Sequence, residues 1–214
     1  MADTSTNANT DTNTNTDTST NTETSTNTDT NASTNTDTNT NTNTNTNTNT
    51  GTNTNDPRPP PDTATSRLAA LGIELPTPPA PVAAYVPVRV SGLTAFVSGQ
   101  APIRDGQVVY RGRLGDDVTA AQGYDAARLT ALNILAQLRA ALGSLDRVAQ
   151  VDRLVVLVAC TADFADHPQV ANGASDLLVA VFGEAGRHAR VACGVASLPF
   201  NTPVEIEAQV TLKP

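Results

Sequence analysis

The sequence predicts an α+β fold, a two-layer arrangement in which one mixed β-sheet carries two helices on one face. Three observations lead there. Short β-branched runs with a period of two recur after residue 82, two longer stretches with helical period interrupt them, and an abrupt change of composition separates both from the N-terminal quarter. The predicted order is β-β-β-α-β-α-β-β.

Residues 1–55 are almost entirely Thr and Asn, and after Met1 no Val, Ile, Leu or aromatic residue occurs before Leu68. A segment with nothing apolar to bury has no term to offset the entropy of ordering its backbone, so disorder is the expectation. Asn/Thr tracts can also form polar ladders, which leaves weak self-association open. Residues 56–81 read as a Pro-rich linker, beginning with the stiff run Asp56–Pro61 and closing with Pro76, Pro78, Pro79 and Pro81. Between the two clusters Ser66–Gly72 reads as two helical turns, capped by Ser66 and stopped by Gly72, a small appendage to the folded domain. That domain spans residues 82–214.

Within it Ala84–Val90 and Leu93–Gly99 read as strands joined by a tight turn at Ser91-Gly92, and Gln107–Tyr110 as a third strand after Asp105-Gly106. Thr119 and Gln122 form a capping box. Behind it Tyr124, Ala127, Ala131, Leu135, Leu138 and Leu142 mark one face of a helix that ends at Gly143. Val151–Cys160 is too apolar for an exposed edge and reads as a buried central strand. Asp166 and Pro168 open the second helix, which buries Leu177, Leu178, Val181 and Phe182 and stops at Gly183. Ala189–Ser197 and Val204–Leu212 are the last strands. With both helices on one face, the other face needs a cover, for which a second subunit is the simplest candidate.

Charge narrows the partners. The formal net charge is −8, and six acidic residues in the unopposed tail account for all but −2 of it. Lys and Arg do not cluster and aromatics make up 3% of the chain, so a nucleic-acid surface lacks both its usual supports. No basic leader with an apolar run opens the sequence and no stretch of about 18 apolar residues occurs, so a cytoplasmic protein without membrane association is expected. Cys160 and Cys193, with His167 and His188 on separate segments, make neither a disulfide framework nor a metal-ligand pattern. His167 reads as a solvated residue beside a helix start and His188 as a surface-loop residue, with a place on a pocket rim as its alternative.

Arg190 draws attention because it interrupts a strand of small apolar residues with a planar, permanently charged fork suited to a carboxylate. Glu205 follows on the next strand, and on paired neighbours the two residues could bracket a small zwitterion or imino acid. From spacing alone, a structural ion pair at a subunit boundary is the commoner arrangement.

Four blocks in order, Ala84–Val90, Val97–Pro102, Ala189–Pro199 (ARVACGVASLP) and Val204–Ala208 (VEIEA), resemble the reactive intermediate deaminase, or YjgF-like, family. The resemblance spans nearly all of residues 82–212. It implies a chorismate mutase-like fold and a homotrimer with active sites in clefts between subunits. It further implies a cofactor-independent, metal-free hydrolase of the 2-iminobutanoate/2-iminopropanoate deaminase kind. Such an enzyme converts 2-imino or enamino acids to 2-keto acids and ammonia. In that frame Arg190 would hold the substrate carboxylate and Glu205 would activate water. Tyr85 and Ser98 would line the pocket, and the carbonyls of Gly99 and Ala192 would help to hold the water.

Two departures accompany the match. Where the family often has Cys, two residues after the Arg, this chain has Ala192. Cys193 follows it and should face the other way on a strand. The segment from Phe164 to Arg190 is also longer than in short members, so the pocket Asn could be Asn172, with Ser175 an equal alignment. A non-catalytic, small-carboxylate-binding regulatory trimer is the main alternative function, with an endoribonuclease or translation inhibitor and a chaperone-like role behind it.

Overall fold

The computed structural model describes residues 8–14, 23–32, 38–47, 62–81 and 83–214, in two units that divide between Pro59 and Pro60. In the first unit β1 (Ala8–Thr14), β2 (Glu23–Ala32) and β3 (Thr38–Asn47) pair antiparallel in that order. The β2–β3 register sets Asn27 opposite Asn43 and Thr28 opposite Thr42. The remainder of the tail and the Asp56–Pro61 run lie outside the described residues.

The second unit opens with α1 (Ala64–Ala70). Its cap is Thr63 rather than Ser66. Ser66 supplies the returning half of the capping box, with Ser66 N donating to Thr63 Oγ1 at 3.2 Å and Thr63 N to Ser66 Oγ at 3.0 Å. Leu68 is 7% exposed and belongs to the core, so α1 is integral to the domain and not the appendage its length suggests.

The main sheet contains β4 (Val88–Ser91), β5 (Thr94–Gln100), β8 (Val148–Ala159), β9 (Ala189–Val195) and β10 (Val204–Leu212). Their spatial order is β4-β5-β10-β8-β9, antiparallel throughout except for the parallel pair β8–β9. The third predicted strand is absent from it. β6 (Ile103–Arg104) and β7 (Gln107–Val108) instead form a separate two-stranded hairpin. Positive φ at both Asp105 (52°) and Gly106 (75°) turns the chain back on itself before it can reach the sheet.

Two helices cover one face. α2 (Ala120–Leu142) starts from the predicted Thr119–Gln122 box and packs on β5 and β10. α3 (His167–Phe182) packs on β8 and β9 and forms the crossover that makes those strands parallel. Asp166 precedes it without a side-chain capping bond. The two helices run in close contact at Gly173, where an added Cβ would collide with the Tyr124 carbonyl. The interior alternates as a half-buried sheet should. Val204, Ile206, Ala208, Val210 and Leu212 of β10 are buried, as are Leu154, Val156 and Val158 of β8. Each large side chain among them contributes on the order of 1.5–3 kcal/mol.

No helix or strand of this second unit lies over the opposite face. Phe96 and Val191 there are 46% and 40% exposed, and Val155 and Leu157 only half-buried. The first strand is also shorter than predicted, beginning at Val88, so Tyr85 stands in the irregular segment before it.

Candidate functional site

Glu205 is on β10 and paired with Leu157, which puts it on the open face of the sheet. Its neighbour β5 carries a bulge. Ile206 pairs with Gln100 and Ala208 with Val97, so Ser98 and Gly99 together oppose Glu207. The bulge brings Gly99 under the Glu205 carboxyl, so close that a Cβ at Gly99 would overlap Glu205 Oε1. Any other residue at position 99 would displace the carboxylate.

A cleft of about 440 Å³ opens beside this pair, lined by Tyr85, Ser98, Gly99 and Glu205 among others. Ser98 is structural as well as lining. Its Oγ donates to the Val86 carbonyl at 2.8 Å and its N–H to Pro87 O at 2.9 Å, tying the segment around Tyr85 to β5. Tyr85 itself is 43% exposed. The carbonyls of the bulge are held from below by Gln100, whose Nε2 donates to Ser98 O at 3.0 Å and to Gly99 O at 3.2 Å. Glu205 is half-buried and has no hydrogen-bond or ion-pair partner among the described residues. Burial foremost, and then the like charge of Glu207, push its carboxyl above the usual carboxylate range.

Arg190 lies elsewhere. β9 and β10 are not paired as the sequence suggests, because the α3 crossover sets β9 on the outer edge of β8 and β10 on the inner. Arg190 pairs with Leu154, a residue of the buried face, and therefore points to the opposite side of the sheet from Glu205. One copy of the chain does not bring the two together.

The guanidinium instead meets α3. Nη1 donates to Asn172 Oδ1 at 3.0 Å and to Ser175 Oγ at 2.8 Å, and Nη2 to Pro168 O at 3.4 Å. Asn172 and Ser175, alternatives in sequence, are joint partners here, one helical turn apart on the same face of α3. Behind Ser175 stands His188, half-buried rather than on a solvated loop. Its Nδ1 lies 2.6 Å from the Gly186 carbonyl and its Nε2 3.0 Å from Ser175 Oγ. Since a carbonyl only accepts, Nδ1 carries the proton, and Nε2 accepts from the serine hydroxyl. Burial, ahead of the nearby Arg190 charge, pushes the His188 pKa down and keeps the ring neutral. His188 lies in the short segment between Gly186 and the start of β9, and its contact with Ser175 follows from the packing of α3 rather than from a local motif.

Ala192 shares the Arg190 face and packs against the core, away from the cleft, whereas Cys193 is exposed on the other face. His167 is half-buried rather than solvated. Its Nε2 is 3.4 Å from Cys160 Sγ, and its ring meets Phe164 edge-on at 5.3 Å. Among the described residues no three His, Cys, Asp or Glu side chains gather as metal ligands would, and no helix is long and apolar enough to cross a membrane. Sequence reasoning missed Gln100, Gln137 and Phe200, which line the cleft because of the bulge and the corner before β10 rather than through any local motif.

Comparison with known proteins extends the pattern. The chain is 48% identical over 154 residues to protein TCP17 of Trypanosoma cruzi, covering 70% of this chain and 96% of that one. Among solved structures it is similar to Agrobacterium tumefaciens protein Atu1372, described as of unknown function. That match is 46% identical with a TM-score of 0.66, over 70% of this chain and 92% of the other. A Shewanella oneidensis protein named a "putative endoribonuclease" is 40% identical with a TM-score of 0.68, over 70% and 99%. The family described as "YjgF/chorismate_mutase-like, putative endoribonuclease" matches residues 65–207. With that match running from α1 through the bulge and Arg190 to the Glu205 strand, the chain belongs to the YjgF/chorismate mutase-like family.

Proposed function

We propose that the protein hydrolyses 2-imino acids to 2-keto acids and ammonia, in a homotrimer whose sites take Glu205 from one copy and Arg190 from the next. The observation that carries this reading is the state of Glu205, a half-buried carboxyl without a partner, raised in pKa, at the edge of a cleft. A carboxylate held in that way serves as a base toward water rather than as a structural ion.

Arg190 supplies the second requirement. Its fork accepts a planar carboxylate in two-point contact while α3 holds the guanidinium from behind. The exposed apolar residues of the open sheet face, Phe96 and Val191, favour a second copy over that face, which would bring the separated halves together.

In the reaction Glu205 takes a proton from water as its oxygen adds to the electrophilic imine carbon. Starting from the imine protonated on nitrogen, this gives a neutral carbinolamine. Glu205 returns the proton to its nitrogen, the C–N bond breaks to release ammonia, and the hydroxyl gives its own proton to the Glu205 carboxylate as it becomes the keto group. The chain's contribution is position. A carboxylate fixed at one end of the substrate and a water aimed at the other lower the barrier without a covalent intermediate.

The test generates 2-imino acids from a panel of amino acids with an amino-acid oxidase, trapping free imine with semicarbazide. Wild type should suppress the trapped product and Arg190→Ala should not. If neither has any effect, the protein does not catalyse this reaction, and a carboxylate-binding trimer built on the same residues replaces it.

A further inference from the structure

We infer that the cleft selects 2-imino acids with bulky apolar side chains, and that Phe200 and the Pro79–Pro81 strap are the residues that set this preference. The inference rests on the proposed deaminase reading for the identity of the reacting group, while the wall residues that it names all belong to one copy.

Most of the cleft wall is apolar (Pro79, Ala80, Pro81, Pro87, Ile103 and Phe200), and Ser98, Gln100 and Gln137 are its uncharged polar side chains. About 440 Å³ is within the range of small-molecule sites and leaves ample room beyond a three-carbon imino acid. Glu205 is the one charged residue that lines it, so nothing in the cleft would pair with a charged substrate side chain other than a cation.

Two walls are built to stay in place. Proline fixes φ at positions 79, 81 and 87, which limits how far the strap can yield. The Pro79 carbonyl accepts from Gln137 Nε2 at 2.6 Å, and Gln137, rooted in α2, is 5% exposed. A buried amide spent on a loop carbonyl fixes that loop to the helix layer.

Phe200 is another apolar part of the lining. It stands at φ 57° and Asn201 at φ 56°, a left-handed conformation that an aromatic residue adopts at a cost. The surroundings impose it. Arg111 Nη1 donates to Phe200 O at 2.7 Å, Gly112 N to Asn201 O at 2.9 Å, and Thr202 Oγ1 to Pro199 O at 3.1 Å. The result is a large apolar ring, 55% exposed, that contributes little to the core and lines the same cleft as Glu205. Strain maintained by three hydrogen bonds to present an exposed ring is accounted for by a ligand that packs on it.

Selectivity and turnover are read separately, with the full chain. Affinities for pyruvate, 4-methyl-2-oxopentanoate and phenylpyruvate are measured by calorimetry, and kcat/KM for the imines of alanine, leucine and phenylalanine in the trapping assay. The two bulkier ligands should bind at least about 10-fold tighter than pyruvate, as expected for added methylenes in an apolar pocket. Phe200→Ala should remove most of that ratio by raising KM for the bulky substrates, while Phe200→Leu, which keeps an apolar wall, should retain it. Gln137→Leu should weaken the ratio less. Equal or tighter binding of pyruvate overturns the inference, and equal turnover of small and bulky imines does so while leaving the deaminase reading intact. A bulky-ligand preference in binding without turnover of any imine upholds the pocket and sinks the deaminase reading. No binding and no turnover sinks both.

Discussion

Arg190 and Glu205 carry opposite charges, stand two strands apart and are treated by the fold in opposite ways. The arginine is engaged, with Asn172, Ser175 and the Pro168 carbonyl around its guanidinium and His188 behind the serine. The glutamate is left without a partner over a bulge that has only glycine beneath it. The contrast fits two kinds of work. A group that binds a carboxylate gains from a fixed fork, because less freedom remains to be lost on binding. A group that takes a proton from water gains from having no competitor for its lone pairs, and burial raises its basicity further.

Four substitutions sharpen that contrast. Glu205→Gln should have the largest effect, lowering kcat by about 10²–10⁴-fold while keto-acid binding is preserved. The pH profile has a definite sign. The base acts when ionised and its pKa is raised, so in wild type kcat should fall on the acid side at a higher pH than an ordinary glutamate would give. A profile whose acid limb lies at the ordinary carboxylate position would separate Glu205 from the proton transfer.

Gly99→Ala comes next. It leaves every ionisable group in place but pushes the Glu205 carboxyl aside, and a displacement of about 1 Å can cost about 10²-fold in rate. Stopped-flow or steady-state kinetics should show the loss in kcat rather than KM, with thermal unfolding checking that the bulge survives.

The smallest effects belong to the arginine's supports. Ser175→Ala should raise KM about 5-fold, the worth of one hydrogen bond of about 1 kcal/mol, with kcat little changed. His188 makes this pH-dependent. Its pKa is lowered, so the ring stays neutral until the pH falls below the usual histidine value. Protonation then turns Nε2 into a donor and ends its acceptance from Ser175. KM should rise at low pH in wild type, and the rise should be gone in His188→Gln. A KM insensitive to both changes would mean that α3 does not position the guanidinium.

Much of the molecule is legible in the chain. The Thr119 capping box, the helical period to Leu142 and the clean alternation of Val204–Leu212 are local patterns, and each appears where its chemistry puts it. The YjgF-like resemblance singles out Arg190, Glu205, Ser98 and Gly99, and three of these meet at one bulge. What the sequence does not reveal depends on pairing. Whether β9 neighbours β10 is decided by the crossover through α3, and nothing local in Ala189–Val195 records on which edge of β8 it will settle. The hairpin at Asp105-Gly106 escapes a local reading for a related reason: Gln107–Tyr110 has strand character, but the positive φ values at the turn spend it on a two-residue partner. His188 and Phe200 owe their places to surroundings distant in sequence, the first to Ser175 and the second to Arg111.

The placement of Arg190 and Glu205 on opposite faces of one sheet has a genetic consequence. In the proposed trimer, a site drawn from two copies would make loss of the arginine and loss of the glutamate different failures, since each damaged chain would still carry what the other lacks. Co-assembled, two individually inactive alleles would complement, and in a random equal mixture about one site in four would receive both intact residues.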